Sequence, residues 1–291
     1  MDEIRTNNDG RKDISGLKFL FFLVIALGLF SVVKLSASNS DKVEITDADI
    51  ALFNKLDSLD WRQVFFDPGT VNWKEKWTLD GLKAKVKNTP EGMIFSAGPV
   101  PYSDSSHAVL WSKKSFSGNL KLEYEFTRLD SAMHFVNIIY LMATGSREGP
   151  YKIDISKWSD RREVAAMKKY YNHMSLYHIS YAAFSNRNTD PENDYIRARR
   201  YVPETGKGLS GTALKPDYSR TGMFKTGKTY KITVILYGND LLMNISGDNK
   251  DFLCHWNISE FHRLNNGRVG LRQMCTRVAR YKNIRVSEID Q

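Results

Sequence analysis

Residues 194–201, DYIRARRY, carry the side chains that most clearly suggest chemistry. As a β-strand this stretch places Tyr195, Arg197, Arg199 and Tyr201 on one face, because successive side chains of a strand alternate between faces. Guanidinium groups bind carboxylate or sulfate in a forked geometry, and tyrosine rings offer flat apolar surfaces. The row therefore predicts a groove for an acidic glycan. An exposed sheet face on which arginines lie along tyrosine rings would give the same pattern.

A second chemical candidate lies in residues 176–184, LYHISYAAF. The same alternation places His178 with Ser180 on one face, and Ile179 with Tyr181 on the other. Tyr181 and Ile179 are typical of a core lining. His178 is a candidate catalytic base beside the arginine strand, and a purely structural histidine is the alternative.

Further candidates interrupt strands where packing alone would favour aliphatic residues. We expect these polar or aromatic side chains to contribute to substrate binding: Asp130, His134, Asn137, Tyr140 and Arg272. Trp77 and Trp158 stand among polar residues, so we expect them to be exposed platforms for sugar rings, whereas Trp111 ends an apolar run and is predicted to be buried.

Several kinds of site are missing from the sequence. It has no nucleophile elbow, phosphate loop or dinucleotide fingerprint, so we expect no cofactor. No His/Asp/Glu cluster calls for a metal. Cys254 and Cys275, the two cysteines, both fall in strand-like segments near the carboxyl end. They would form one disulfide or remain two buried thiols.

The elements that must position these residues are short strands. The clearest is 119–130, NLKLEYEFTRLD, in which Leu120, Leu122, Tyr124 and Phe126 alternate with polar residues. Strands are also predicted at 92–96, 108–111, 134–143, 176–184, 194–201, 229–238, 240–248, 267–274 and 279–287, one helix at 161–173, and loops at 185–193 and 203–221. Many short strands at regular spacing predict an all-β, two-sheet antiparallel β-sandwich of the jelly-roll type with one short helix.

A hydrophobic segment precedes these strands. Between Leu17 and Val33 the only charged residue is Lys18, and basic residues flank the run. This length and flank indicate an export helix, cleaved near Ala37 or Ser38 or retained as an anchor at 17–35. We therefore divide the chain into residues 1–38 as tail and signal, 39–60 as a linker or lead-in, and 61–291 as the sandwich domain.

The net charge of the chain is +9, and the five basic and four acidic residues of 1–37 account for little of it. Much of the excess lies between Arg161 and Arg200. In the cytoplasm such a bias would suggest nucleic acid. After export to the periplasm or the medium, the available anions are acidic polysaccharides, surface glycans and lipid headgroups. We therefore expect an acidic polysaccharide or oligosaccharide as partner and no nucleic acid.

Long segments of the chain carry a family resemblance: WTLDG (77–81), NTPEGMIFSAGP (88–99), HAVLW (107–111), YHISYAAF (177–184), DYIRARRY (194–201) and GLRQMCTRVARYKNIRV (270–286). On these segments the chain resembles a family of bacterial proteins typified by YesU, within the concanavalin A-like lectin/glucanase superfamily. The resemblance covers Trp61 to Val286. It implies a concanavalin A-like jelly roll and a setting of polysaccharide breakdown, and it implies no particular catalytic residues.

Three functions fit the sequence, all exported and carbohydrate-active. The first is a polysaccharide lyase acting by β-elimination, in which Arg197 or Arg199 neutralises a uronate, His178 is the base, and Tyr195 or Tyr201 is the acid. The second is a glycoside hydrolase, which usually needs two carboxyl groups about 5–10 Å apart. The third is a non-catalytic glycan-binding module with the same groove.

Overall fold

The computed structural model describes residues 43–289 of the 291-residue chain. The predicted export segment lies outside these residues. None of the helices within 43–289 has the length and apolar character needed to span a bilayer.

The described residues form two antiparallel β-sheets and few helices. The two α-helices among them are α1 (Asp47–Asp57) and α2 (Met167–His173). In chain order the strands are β1 (Arg62–Asp67), β2 (Trp77–Asp80), β3 (Lys85–Thr89), β4 (Gly92–Ser96), β5 (Ala108–Ser117), β6 (Asn119–Arg128), β7 (Phe135–Gly145), β8 (Met174–Phe184), β9 (Tyr195–Tyr201), β10 (Ala213–Ser219), β11 (Thr229–Tyr237), β12 (Asp240–Gly247), β13 (Lys250–Asn257), β14 (Asn266–Gln273) and β15 (Val278–Ile289).

The sheets are the two layers of a sandwich. The first has the strand order β13-β12-β11-β6-β15-β4-β3, with β1 also paired to β15, and the second has the order β10-β9-β8-β7-β14-β5-β2. Sequence neighbours such as β4 and β5 lie in different sheets, so the chain crosses between the layers. The prediction of an all-β, two-sheet antiparallel sandwich is confirmed.

Alternation along the strands produces the core between the sheets. In β6 the side chains of Leu120, Leu122, Tyr124 and Phe126 are buried in it, as their period-2 spacing predicts. Full burial of each such side chain contributes about 1.5–3 kcal/mol. Glu123, on the opposite face of β6, lies within 4 Å of Lys231 and Arg285. The outer face of this sheet therefore carries ion pairs between neighbouring strands.

A second, smaller core lies on the outer face of the second sheet. Residues 150–173, which include a 3₁₀ segment (Ile155–Arg162) and α2, fold over one end of that face. The rings of Tyr140 in β7, Trp111 and Tyr170 form a cluster there, with centroids 5.4 to 6.2 Å apart. Part of the second sheet is therefore closed to solvent on both faces.

Three local predictions differ from the structure. Of the helix expected at 161–173, only Met167–His173 is α-helical, because residues 161–162 end the 3₁₀ segment and residues 163–166 are not helical. Part of the loop expected at 203–221 is strand β10, an edge strand that tolerates Pro216. Cys254 and Cys275 are both buried free thiols, so the disulfide alternative is not realised.

Helix α1 lies within 39–60, which we predicted as a linker or lead-in. Thr46 and Asp49 form a reciprocal capping box at its start. Phe53 and Leu56 then pack against Leu242 and Leu253 of the first sheet. The segment is thus docked on the sandwich, although the proposed domain boundaries stay a prediction.

His255 of β13 fastens α1 to the sheet. Its Nδ1 lies 2.6 Å from an oxygen of Asp49 in α1, and its Nε2 lies 2.8 Å from an oxygen of Asp240. Partial burial pulls the pKa of His255 down, but the hydrogen bonds to Asp240 and Asp49 outweigh burial and raise this pKa. Both ring nitrogens can donate only when the imidazole is charged.

This arrangement predicts a pH-dependent free energy of unfolding. Because folding raises the pKa of His255, its stabilisation is complete below the unfolded-state value of about 6.5, and it is lost as pH rises through the folded-state value. Urea titrations at a series of pH values should show stability falling across this window in the wild type. In His255→Gln the fall should be smaller, and an unchanged pH profile would contradict the fastening role.

Candidate functional site

The candidate site is on the outer face of the second sheet, beside the part that residues 150–173 cover. There β9 pairs with β8, so that Arg197 lies opposite Ser180 and Arg199 opposite His178. Ile196 and Ala198 point into the main core, which turns their neighbours outward. We call the outward set of β8 and β9 the arginine face: Tyr195, Arg197 and Arg199, which are partly exposed, and His178, Ser180 and Tyr201, which are buried. Tyr201 lies in the buried cluster of Tyr140 and Tyr170, so the expectation that it contacts substrate is corrected.

The alternation predicted for β9 is confirmed, and so are the sides predicted for His178, Ile179, Ser180 and Tyr181 in β8. It stops at a bulge where Ala182, with φ of +44°, joins Tyr181 in the main core.

Arg197 and Arg199 are half-exposed, and each makes only one side-chain hydrogen bond within residues 43–289. Arg197 donates from Nε to Asp217 Oδ2 at 2.8 Å and lies over the Tyr195 ring at 4.7 Å. Lys215 shares the same carboxylate at 3.3 Å. Arg199 donates to the hydroxyl of Thr212 at 3.2 Å. Arg197 and Lys215 thus share one carboxylate, and Arg199 beside them bonds to a neutral hydroxyl. The excess positive charge makes this part of the face attractive to anions.

Tyr195 is half-buried beside Arg197. Burial raises its pKa, and the nearby charges of Arg197 and Arg199 oppose that shift without cancelling it. The neutral phenol is therefore the stable form at neutral pH. It can donate a hydrogen bond or offer its ring, but it is a poor source of phenolate.

His178 lies beneath the arginines. Its Nδ1 is 2.6 Å from the hydroxyl of Tyr201 and its Nε2 is 2.6 Å from the hydroxyl of Ser180. Burial lowers its pKa well below the usual value, and the positive charges of Arg199 and Arg272 lower it further. His178 is consequently neutral, and both ring nitrogens are already engaged.

The covered end of the sheet is held by one buried carboxylate. Oδ2 of Asp80 accepts hydrogen bonds from Trp111 Nε1 (2.7 Å), Arg162 Nε (2.6 Å) and Tyr170 OH (2.9 Å). Arg162 also donates to the backbone carbonyls of Ile155 and Trp158. Asp80 therefore ties the covering segment to the sheet.

Tyr140 and Arg272 do face outward, as the strand pattern requires, but both are completely buried under that covering segment. Arg272 donates to the carbonyl of Ala165 at 2.7 Å and lies 4.6 Å from the centre of the Tyr170 ring. The expectation that they contact substrate is corrected, because residues 150–173 occupy the space above them.

Asn137 points the other way. It shares the face of Ile139 and Leu141, inside the sandwich, where it donates to Gln273 at 2.6 Å and accepts from Arg277 at 2.8 Å. It belongs to a buried polar network and not to a binding surface, so its predicted role is also corrected.

Asp130 and His134 lie in the connection between β6 and β7. The carboxylate of Asp130 accepts from the backbone N–H of Ala132 and Val278, and it pairs with Arg128 and Arg277. This bonding is structural and ties the connection to β15. His134 lies just before β7, with its ring against Phe135, and the structure does not bring it to the arginine face.

The prediction that Trp77 and Trp158 are exposed platforms for sugar rings is wrong. Trp77 and Trp158 are each only 1% exposed, so neither can stack on a sugar ring. Trp77 Nε1 donates to the buried Asp67 at 2.6 Å, which explains how an indole with polar neighbours in sequence can lie in a core. Trp111 is buried as predicted.

Sequence reasoning missed Asp217 and Lys215, because both fall in β10, which was predicted to be loop. A strand reading of the short run ALKPDYS would have required ignoring its proline. Among residues 43–289 no three side chains of the His, Cys, Asp or Glu type come together as metal ligands.

Of the comparisons with known proteins, the one with solved structures identifies the fold. No family model matches this chain, and no curated protein matches it. Among solved structures, the chain is similar to a protein of unknown function with a galectin-like fold from Bacillus subtilis, with a TM-score of 0.58 and 16% identity over 79% of this chain and 98% of that one. It is also similar to a legume lectin-like domain from Entamoeba histolytica, with a TM-score of 0.53 and 8% identity over 77% and 97%. The fold is therefore a concanavalin A-like β-sandwich of the galectin and legume-lectin kind.

Proposed function

We propose that this chain is a glycan-binding module that takes an acidic polysaccharide on the arginine face. The observation that carries the proposal is the row of Tyr195, Arg197 and Arg199, in which half-exposed guanidinium groups lie beside an aromatic ring. Arg197 and Arg199 can bind a uronate or sulfate with charge-assisted hydrogen bonds, and Tyr195 can pack against the ring that bears it. The lectin-like fold of the similar structures supports a carbohydrate ligand.

Binding is better supported than β-elimination. A lyase needs a base that can reach the C5 proton of the uronate. His178 is buried with both nitrogens engaged, and the raised pKa of Tyr195 makes its phenolate scarce. The arginines would neutralise a carboxylate, but neither tyrosine nor histidine is set up to take the proton.

Hydrolysis is less well supported still. The strands of the second sheet contribute two carboxyl groups, Asp80 and Asp217. Asp80 is buried under the covering segment, and Asp217 is neutralised by Arg197 and Lys215. Glu123 and Glu125 belong to β6, in the other sheet. An acid and a nucleophile facing one bond are therefore not provided by these strands.

We further propose that the sandwich domain is exported from the cytoplasm. The hydrophobic run at 17–35 would deliver the sandwich to the periplasm or the medium, released or anchored, where acidic polysaccharides are available.

We also propose that the chain is related to the YesU-like family, on the segments quoted above, such as 194–201 and 270–286.

Affinity electrophoresis of the full chain tests the function. In gels containing a panel of acidic and neutral polysaccharides, migration should be retarded by acidic ones only. The same mixtures are then assayed for the ultraviolet absorbance of an unsaturated product and for new reducing ends, and neither should rise. Loss of retardation in every acidic gel would overturn binding, and an absorbance rise would restore the lyase.

A further inference from the structure

Tyr102 stands out among the exposed side chains. It is the one aromatic among the large hydrophobic residues that lie markedly exposed in the described part of the chain, with 67% of its surface open to solvent. Val100, two residues earlier, is 44% exposed. Single exposed apolar residues are common in proteins, so the exposure alone decides nothing.

The tyrosine is also held in place. Its hydroxyl donates to the backbone carbonyl of Asn186 at 2.7 Å, and its ring packs edge-on against Phe135 with centroids 5.0 Å apart. Both aromatic residues have positive φ, +58° and +65°, a conformation that bulky residues rarely adopt. A ring fixed in this way has little freedom left to lose when a ligand packs on it.

Tyr102 lies at the Tyr195 end of the arginine face. Its partner Phe135 begins β7 and pairs with Phe184 of β8, and the preceding residue, Ala183, pairs with Tyr195 of β9. Asn186, which accepts the Tyr102 hydroxyl, is in the connection from β8 to β9. Since neighbouring strands are about 4.8 Å apart, two strand spacings put Phe135 roughly 10 Å from the start of β9.

We propose that Tyr102 is a further subsite, which packs against the C–H face of a sugar ring in the same acidic chain whose carboxylate binds at Arg197. This inference rests on the proposed function. The aromatic face carries negative potential and attracts the weakly positive C–H groups of a sugar, so this subsite requires no acid group. Arg197 lies two residues further along β9 than Tyr195, which adds about 7 Å. A ligand must therefore be longer than a disaccharide to reach from Arg197 to Tyr102, and the subsite selects chain length.

Calorimetry with a disaccharide and a hexasaccharide of one uronic-acid polysaccharide tests the subsite. Tyr102→Ala should lower affinity for the hexasaccharide about 3- to 10-fold, the range of one aromatic packing contact, and leave the disaccharide unchanged. Tyr102→Phe keeps the ring and should retain most of the affinity. Val71→Ala removes another exposed apolar side chain, 42% exposed, and should change neither.

The outcomes separate the subsite from the site. If Tyr102→Ala leaves the ratio of the two affinities at its wild-type value, the subsite is overturned and the arginine face stands. An equal loss for both lengths is one such outcome, because the shorter ligand should not reach Tyr102. If Arg197→Ala with Arg199→Ala binds both ligands like the wild type, the proposed function itself fails.

Discussion

Replacing Asp80 by asparagine should lower the free energy of unfolding by about 3–5 kcal/mol, the usual cost of leaving one member of a buried ion pair without its partner. Burial raises the pKa of Asp80, and the charge of Arg162 opposes that shift. The side chain of Arg162 is 1% exposed. Without the carboxylate, its guanidinium still donates hydrogen bonds to two backbone carbonyls but has no negatively charged partner. Urea denaturation followed by circular dichroism measures the loss.

Two further variants show whether the loss comes from the buried charge. Asp80→Asn combined with Arg162→Met removes the uncompensated cation, so it should cost less than the sum of the two single substitutions. Glu204→Gln breaks an exposed pair with Lys207 and should change stability by less than about 0.5 kcal/mol. If Asp80→Asn alone stays within about 1 kcal/mol of the wild type, Asp80 does not hold the covering segment as described.

Replacing Arg197 and Arg199 together by alanine should lower affinity for an acidic polysaccharide about 100-fold or more. Each hydrogen bond between a guanidinium and an anion is worth about 1.5–3 kcal/mol, and two such losses multiply. Affinity for a neutral glycan should change little, since its hydroxyl groups need no counter-charge. Calorimetry or affinity electrophoresis gives both values.

A charge-matched variant controls for net charge. Arg280→Ala with Lys282→Ala removes the same two charges from β15 in the first sheet, where the alternate residues Ala279 and Tyr281 occupy the core. This variant should bind acidic glycans nearly as well as the wild type. Equal losses in both double variants would mean that overall charge, and not the arginine face, draws the ligand.

The positions of Arg197 and Arg199 on the arginine face can be predicted from the sequence because they depend only on neighbouring residues of one strand. A strand has a period of two, so the spacing within 194–201 and 176–184 is enough to assign sides. The same argument places Leu120 and Phe126 in the core. Export, by contrast, depends on residues outside the described part of the chain and stays a prediction.

The misjudged candidates depend on contacts between distant segments. Tyr140 and Arg272 lie on the correct face, but nothing in their strands shows that residues 150–173 will cover them. The bond from Arg162 to Asp80 joins residues 82 positions apart, and the alternation of one strand cannot predict such a contact. Trp77 was misjudged for the same reason, since its buried partner Asp67 belongs to another strand.

Comparing one polysaccharide in two forms tests the central claim most directly. The wild-type chain is titrated with a polyuronate and with the same polyuronate after its carboxyl groups are esterified. We expect the free acid to bind at least about tenfold more tightly than the ester, because esterification removes at least one charge-assisted hydrogen bond. Added salt should weaken binding of the free acid. Equal affinity for the acid and its ester would contradict the account.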